Sequence, residues 1–256
     1  GADVLAINPF ASTAGVARFD RHEHTGRVAD LVPASGASLG IVFSPGGEQM
    51  TVVDDAGRVL DDTQLLLALI ALRGPSLDGE RVALPVSATS RATELVEAAK
   101  GSVVLTPTTP AAIMGAAADP FVCFAADTTG RFVLPGFIPA FDAPATFASL
   151  LDLLSAAERP LSALVDDLEP THIARREVIT PWEQKGAVMR VLVEQSKGRE
   201  VDLVDGIRIH HDAGWALVLP DPEEPVTLVI AEAESSDDAA RLADEYVRRI
   251  EQLVRG

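Results

Sequence analysis

The five histidines are the natural first place to look for metal ligation or acid–base chemistry, because imidazole ionises near neutral pH. His22 and His24, in Arg21-His22-Glu23-His24, offer a metal two imidazoles. No third ligand is spaced nearby, so the segment reads as a polar, solvated loop. His210 and His211 close an apolar run; on a strand they point to opposite faces and cannot share one metal. Glu48, Asp54 and Asp55 form an acidic patch beside a Gly-rich turn, where magnesium is conceivable but a solvated turn is simpler. Ser90 and Arg91 sit where a strand gives way to a helix, a favourable place for an anion, although an ordinary helix cap accounts for them more simply. Cys123, the single cysteine, lies in the apolar run Phe121–Ala125 and reads as a small buried hydrophobe. The sequence has no phosphate-loop Gly-Lys-Ser/Thr and no Gly-x-Gly-x-x-Gly behind a strand.

Three blocks must position these residues. In the first, Val4–Ile7 reads as a buried strand in a run reaching Asn8, followed by a loop containing Pro9, Ser12, Thr13 and Gly15. A short helix near Arg27–Ala34, a strand at Leu39–Phe43, the turn Ser44-Pro45-Gly46-Gly47, a strand at Met50–Val53 and the turn Asp54–Arg58 complete it. This unit has too few strands to close a sheet and should leave an open edge, suited to a missing neighbour or to self-association. The second block alternates: helix from Asp61-Asp62 to Gly74-Pro75, strand Val82–Val86, helix Arg91–Ala99, strand Val103–Leu105, helix Ala111–Ala117, strand Phe121–Ala125. Strands alternating with helices predict a parallel-type sheet, and helices at Ala145–Ala157 and Leu161–Leu168 follow. The third block predicts strands at His172–Ile179, Glu200–Val204, Ile207–His211, Trp215–Leu219 and Val226–Ala231, with helices at Trp182–Ser196 and after Ser235–Asp238. The fold class is therefore α/β, with a small α+β domain at the C-terminal end.

Composition narrows the function classes. The 256 residues include 21 Lys plus Arg against 38 Asp plus Glu, a net charge of −17. That surface repels phosphate backbones and anionic lipid, which argues against nucleic-acid and membrane partners. Apolar residues at 47% exclude wholesale disorder, and aromatics at 5% leave the core to Leu, Val, Ile and Ala. No apolar stretch reaches 18 residues and no leader opens the chain, so a cytoplasmic protein is expected. The first residue is Gly1, which reads as a chain cut from something longer.

Several strings then stand out: Leu39-Gly40-Ile41-Val42-Phe43, Thr51-Val52-Val53-Asp54-Asp55-Ala56-Gly57-Arg58-Val59-Leu60, Asp205-Gly206-Ile207-Arg208, Gly214-Trp215-Ala216-Leu217-Val218, then Pro220 and Glu224-Pro225-Val226. With Ser90-Arg91 and Thr129-Gly130 between them, they resemble the α-D-phosphohexomutase family, which includes phosphomannomutase and phosphoglucomutase. The resemblance covers nearly the whole chain but only the second half of a family member. It implies the end of domain II at 1–58, domain III at 59–170 and the α+β domain IV at 171–256. It also implies intramolecular phosphoryl transfer between the 1- and 6-positions of a hexose, through a phosphoserine and with magnesium. The phosphoserine belongs to the missing first domain, so no serine here takes that role.

The chain departs from the family at three loops. The metal loop Asp-Gly-Asp-Gly-Asp-Arg is matched by Ser44-Pro45-Gly46-Gly47-Glu48-Gln49, in which a single carboxylate remains. The sugar-reading loop Gly-Glu-x-Ser-Gly-His is matched by Ala126-Asp127-Thr128-Thr129-Gly130-Arg131, leaving Asp127, Thr129, Gly130 and Arg131 as a candidate sugar-binding set. The phosphate loop Arg-Pro-Ser-Gly-Thr-Glu-Pro has become Leu219-Pro220-Asp221-Pro222-Glu223-Glu224-Pro225, with Pro222 lacking an amide hydrogen. A carboxylate about 4 Å from a phosphate repels it by roughly 1–4 kcal/mol, depending on screening.

The resemblance thus implies a degenerate, pseudoenzyme-like module of carbohydrate metabolism, structural or regulatory. It is similar to the mutase-like region of long actinobacterial mannose-1-phosphate guanylyltransferases, which implies a nucleotidyltransferase fusion. No cofactor is expected; magnesium enters if the chain, joined to its N-terminal half, is an active mutase. A sugar-binding sensor is the third reading. Expected partners are the missing N-terminal domains or a second copy, with a hexose phosphate as candidate ligand.

Overall fold

The structure, a computed structural model, describes residues 2–7 and 19–255. Asp20 opens helix α1 (Arg21–Ser35), its carboxylate accepting from the Glu23 amide at 3.0 Å, and Gly36 closes it in the left-handed conformation at φ 69°. That cap makes the Arg21–His24 segment the first turn of a helix, not the loop expected. α1 rests on an antiparallel hairpin of β1 (Gly40–Phe43) and β2 (Met50–Val53). The expected buried strand at Val4–Ile7 is not formed: Val4 and Leu5 are 82% and 68% exposed, because among the described residues no partner strand stands beside them to bury their side chains. Asn8 and the loop of Pro9, Ser12, Thr13 and Gly15 lie outside the described residues. The outer edge of β1 carries no strand among the described residues.

Helix α2 (Asp62–Arg73) starts from a capping box between Asp61 and Gln64. Its residues Leu65–Ile70 are all buried, with α3 (Ser90–Ala98), α5 (Ala143–Ala157) and α6 (Leu161–Asp166) packed around it. Each buried Leu or Ile contributes about 1.5–3 kcal/mol. Strands β3 (Arg81–Pro85), β4 (Ser102–Thr106) and β5 (Val122–Ala126) are parallel, with α4 (Pro110–Ala117) leading into β5. Two strands missing from the sequence reading, β6 (Phe132–Leu134) and β7 (Ile138–Phe141), extend β5 antiparallel to give the order β4-β3-β5-β6-β7. They are short and separated by the turn at Pro135-Gly136, so their apolar residues never build a visible alternation. One core runs from Met50, Val52 and Leu60 through α2 to Leu84 and Phe124, so the hairpin and this sheet share their interior.

The last part is a five-stranded antiparallel sheet, β8-β12-β11-β10-β9, formed by β8 (His172–Ile179), β9 (Val201–Asp202), β10 (Ile207–His211), β11 (Gly214–Pro220) and β12 (Val226–Ala233). Helices α7 (Trp182–Gln195) and α8 (Ser236–Arg255) pack on it. The period of two sorts its side chains: Ile207, Ile209, Ala216, Val218, Val229 and Ala231 join Tyr246 and Ile250 of α8. Trp215, Leu217, Leu219 and Ile230 face the other way and pack with Val86 of the preceding part. With both faces covered, β11 and β12 read as nearly continuous apolar runs. The architecture is mixed α/β followed by an α+β unit.

Candidate functional site

In the order β4-β3-β5 the chain leaves β3 to one side for β4, then crosses back to the other side for β5. The loops that follow β3 and β5 therefore diverge, and open sheets of this kind bind ligands in the crevice at such a point. Ser90 and Arg91 stand at one side of it and Asp127–Arg131 at the other.

The Asp127–Arg131 loop is closed by its own acid. Asp127, buried, accepts from the Thr129 amide (2.8 Å), the Thr129 hydroxyl (2.6 Å), the Arg131 amide (3.0 Å) and Arg131 Nε (2.5 Å). Gly130 holds φ 82°, and a Cβ there would lie 2.8 Å from Asp62 Oδ1 and 2.9 Å from the Met50 carbonyl. The fold brings Ser44–Gln49 against this loop: the Gln49 side-chain amide donates to the Thr129 carbonyl, and the Met50 amide donates to the Gly130 carbonyl at 3.1 Å. Glu48 is exposed, and among the described residues no group of three or more His, Cys, Asp or Glu stands together. Asp54 and Asp55 do not join Glu48; Asp54 holds Arg58, and Asp55 accepts from the Ser162 amide and hydroxyl at 2.9 and 2.7 Å.

Beside the loop opens a cleft of about 470 Å³ lined by Asp61, Asp62, Thr63, Thr128, Thr129, Thr171, Ile173 and Arg175. Asp62 pairs with Arg21 at 2.8 Å, whereas exposed Arg175 makes no ion pair among the described residues. The lining is rich in hydroxyls and carboxylates, suited to hydroxyl-bearing ligands rather than to a dianion.

At the other side, the Ser90 amide donates to Glu232 Oε2 at 3.1 Å, and the Thr89 hydroxyl to Glu232 Oε1 at 3.0 Å. The place of an external anion at the start of α3 is filled by this chain's own carboxylate. Burial pushes the Glu232 carboxyl up, while the Ser90 amide, the Thr89 hydroxyl and Arg208 pull against it. Arg91 points away, paired with Glu94 (2.6 Å) and Glu169 (2.5 Å).

The loop at Pro220–Pro225 follows the same rule. Asp221 accepts from the amides of Glu223 and Glu224, both at 2.8 Å, and these two amides hold its carboxyl below the usual range. Lys185, buried and stacked on the Trp182 ring at 3.8 Å, donates to the carbonyls of Asp221 and Glu224. Leu219, just ahead of this loop, is buried.

The histidines stand apart. His22 is exposed on α1, whereas His24 stacks on Phe19 at 5.3 Å. His210 Nε2 lies 2.8 Å from Asp202, and His211 Nε2 lies 3.0 Å from the Tyr246 hydroxyl. Cys123 is half-buried, and burial pushes its thiol up, away from nucleophilic reactivity. Glu232, Lys185 and Arg175 are not singled out by the sequence, and Arg208 enters there only within the string Asp205-Gly206-Ile207-Arg208. Glu232 and Arg208 did leave a trace there, as charges placed inside otherwise apolar strand runs.

No protein-family model matches the chain. The probable phosphoglucosamine mutase of Methanopyrus kandleri is 28% identical over 263 residues, covering 99% of this chain and 57% of its own length. The phosphopentomutase of Thermococcus kodakarensis is 28% identical over 266 residues, covering 98% and 57%. Among solved structures, a phosphoglucomutase/phosphomannomutase family protein from Burkholderia thailandensis superposes with a TM-score of 0.75 at 22% identity, over 90% of this chain and 50% of that one. The Aspergillus fumigatus N-acetylphosphoglucosamine mutase, solved with GlcNAc-6P and magnesium, gives a TM-score of 0.59 at 12% identity, over 84% and 48%. The chain's homologues and structural neighbours are thus phosphoglucosamine mutases, phosphoglucomutases and phosphomannomutases of the α-D-phosphohexomutase superfamily. The chain spans about half the length of the curated relatives it matches, between 50% and 57% for the first three. No helix is long and apolar enough to cross a membrane among the described residues.

Proposed function

We propose that the chain is the C-terminal portion of a phosphohexomutase-like protein of sugar-phosphate or sugar-nucleotide metabolism, and that by itself it is structural or regulatory rather than catalytic. On this reading residues 1–58 are the end of domain II, 59–170 domain III and 171–256 domain IV, and the parent chain carries a nucleotidyltransferase ahead of them in the cytoplasm. The observation that carries the reading is the self-occupation of two anion sites: Asp221 takes the Glu223 and Glu224 amides in the Pro220–Pro225 loop, and Glu232 takes the Ser90 amide at the start of α3. An internal carboxylate is present at far higher effective concentration than any free sugar phosphate, so displacement is unfavourable. Magnesium gains no cluster of carboxylates here, with Glu48 alone at the metal-loop counterpart.

The hydroxyl-rich cleft supports a second reading, a module that binds a neutral or amino sugar without magnesium. Calorimetric titration of the folded chain with mannose-1-phosphate and glucose-1-phosphate, with and without magnesium, and with free mannose, glucose and glucosamine, tests both. The expected result is silence. Magnesium-dependent binding in the micromolar range would overturn the inactive reading in favour of a mutase completed by its N-terminal half. Saturable binding of an unphosphorylated sugar would establish the sensor.

A further inference from the structure

The face of the C-terminal sheet opposite α7 and α8 is apolar at Trp215, Leu217, Leu219 and Ile230, yet it carries two buried charges, Arg208 and Glu232, at 5% and 7% exposure. They form no direct ion pair among the described residues. Both are committed to the loop after β3. Arg208 donates to the Val86 carbonyl (3.0 Å), the Ala88 carbonyl (3.4 Å) and the Ser90 hydroxyl (3.3 Å). Glu232 accepts from Thr89 and Ser90, and also from the Trp215 indole N–H at 3.1 Å; the Arg208 guanidinium lies on the same indole at 4.1 Å. Three residues before Arg208, Asp205 Oδ2 accepts from the Thr108 amide (2.9 Å) and hydroxyl (2.7 Å), in the loop after β4. Gly206 lets the two grips stand so close in sequence: it holds φ 64°, and a Cβ there would sit 2.2 Å from the Val218 carbonyl.

We propose that Glu232 and Asp205 serve as built-in anionic ligands of the central sheet, seated on the donors that follow β3 and β4, and that with Arg208 they lock the C-terminal sheet and the central sheet into one rigid body. An apolar contact alone leaves a sheet free to slide, because it is non-directional. A charged hydrogen bond that must be satisfied on burial selects one arrangement, since leaving any of these groups unpaired in the interface is costly. The inference is independent of whether the parent protein is catalytic.

Spin labels at Ser155→Cys on α5 and Arg248→Cys on α8, in a Cys123→Ser background, report the distance between the two parts. The expected result is a single narrow distance distribution, broadened in the near-isosteric double variant Glu232→Gln/Asp205→Asn. In that variant hydrogen exchange at the Ser90 amide rises about tenfold to a hundredfold, the range a charged hydrogen bond spans, while the amides of β10–β12 stay protected. A broad wild-type distribution would sink the proposal. So would a double variant that keeps the narrow distribution and the Ser90 protection. Inorganic phosphate serves as the probe of an open anion site. It should leave the wild-type distance unchanged, and a phosphate-dependent broadening would overturn the proposal too. If Glu232→Gln/Asp205→Asn fails to fold, Asp205→Asn alone, at the half-buried and less demanding grip, must broaden the distribution measurably for the proposal to stand.

Discussion

The turns at Asp54–Arg58 and Asp127–Arg131 share the pattern Asp-x-x-Gly-Arg and nearly the same bonds. In the first, Asp54 accepts from the Ala56 amide (3.0 Å), the Arg58 amide (2.8 Å) and Arg58 Nε (2.7 Å), with Gly57 at φ 83°. In the second, Asp127 accepts from the Thr129 amide (2.8 Å), the Arg131 amide (3.0 Å) and Arg131 Nε (2.5 Å), with Gly130 at φ 82°. The second turn faces a cleft lined by its Thr128 and Thr129; the first joins the hairpin to α6, where Arg58 continues to Asp166 and the Ser162 carbonyl. Closing a turn therefore accounts for Asp127, Gly130 and Arg131 without any ligand. What is peculiar to the second turn is Thr129, whose hydroxyl also donates to Asp127 at 2.6 Å where the first has Ala56.

The largest test of this equivalence is Asp54→Ala beside Asp127→Ala. Each should lower unfolding free energy by about 2–4 kcal/mol in urea denaturation, because each strands two turn amides and removes an ion pair with the arginine of the same turn. A loss at Asp127 well under 1 kcal/mol would show that only the first acid is structural. Next, Gly57→Ala and Gly130→Ala should each cost about 1–2 kcal/mol from the left-handed backbone alone. Crowding adds to that, from the Ala29 carbonyl at 2.9 Å in the first and the Met50 carbonyl at 2.9 Å in the second. Thr129→Ala should cost roughly 0.5–1.5 kcal/mol, one ordinary hydrogen bond. If the same substitution abolished binding of a sugar found by titration while leaving stability unchanged, the two turns would have to be separated by function.

The smallest effects are pH slopes. Asp221 closes a third acid turn, and its lowered carboxyl gives stability that is full above the ordinary value of 3.8 and lost as pH falls through the folded-state value. Asp221→Asn should flatten that acid limb in thermal melts. His211 is lowered from 6.5, first by burial and then by Arg199; Arg249 acts in the same direction, while Glu245 and Asp212 oppose it. Its ring accepts from Arg199 and meets the Tyr246 hydroxyl, so the neutral form is favoured. Stability from this group is present above pH 6.5 and declines as the pH falls below it; His211→Asn should remove the decline.

Much of the fold was readable because its signals are local. Asp and Thr caps precede α2, α4 and α5, and apolar runs bounded by Gly and Pro mark β3, β4 and β5. β6 and β7 were not readable, since three and four residues around Pro135-Gly136 carry too little periodicity to register. Val4–Ile7 misled for the opposite reason, a strand-like run with no strand beside it among the described residues. At the candidate site, the sequence exposes a single carboxylate in Ser44–Gln49 and a run of acids without a cation in Leu219–Pro225. It does not expose the long-range partners, because Lys185 acts on a loop 36 residues away and Glu232 on an amide 142 residues away.

The order of residues alone determined most of the element types, the mixed α/β class and the acidic character of Leu219–Pro225. Those follow from backbone propensity, hydrophobic period and the presence or absence of a charged group, all properties of a short window. Tertiary structure alone decided which donors meet which acceptors. Whether the start of α3 holds a free anion or Glu232, and whether Ser44–Gln49 faces solvent or Thr129, depends on how two sheets and a hairpin pack. The reason is that a buried polar group must find its partner wherever packing places one, and that partner need not be near in sequence.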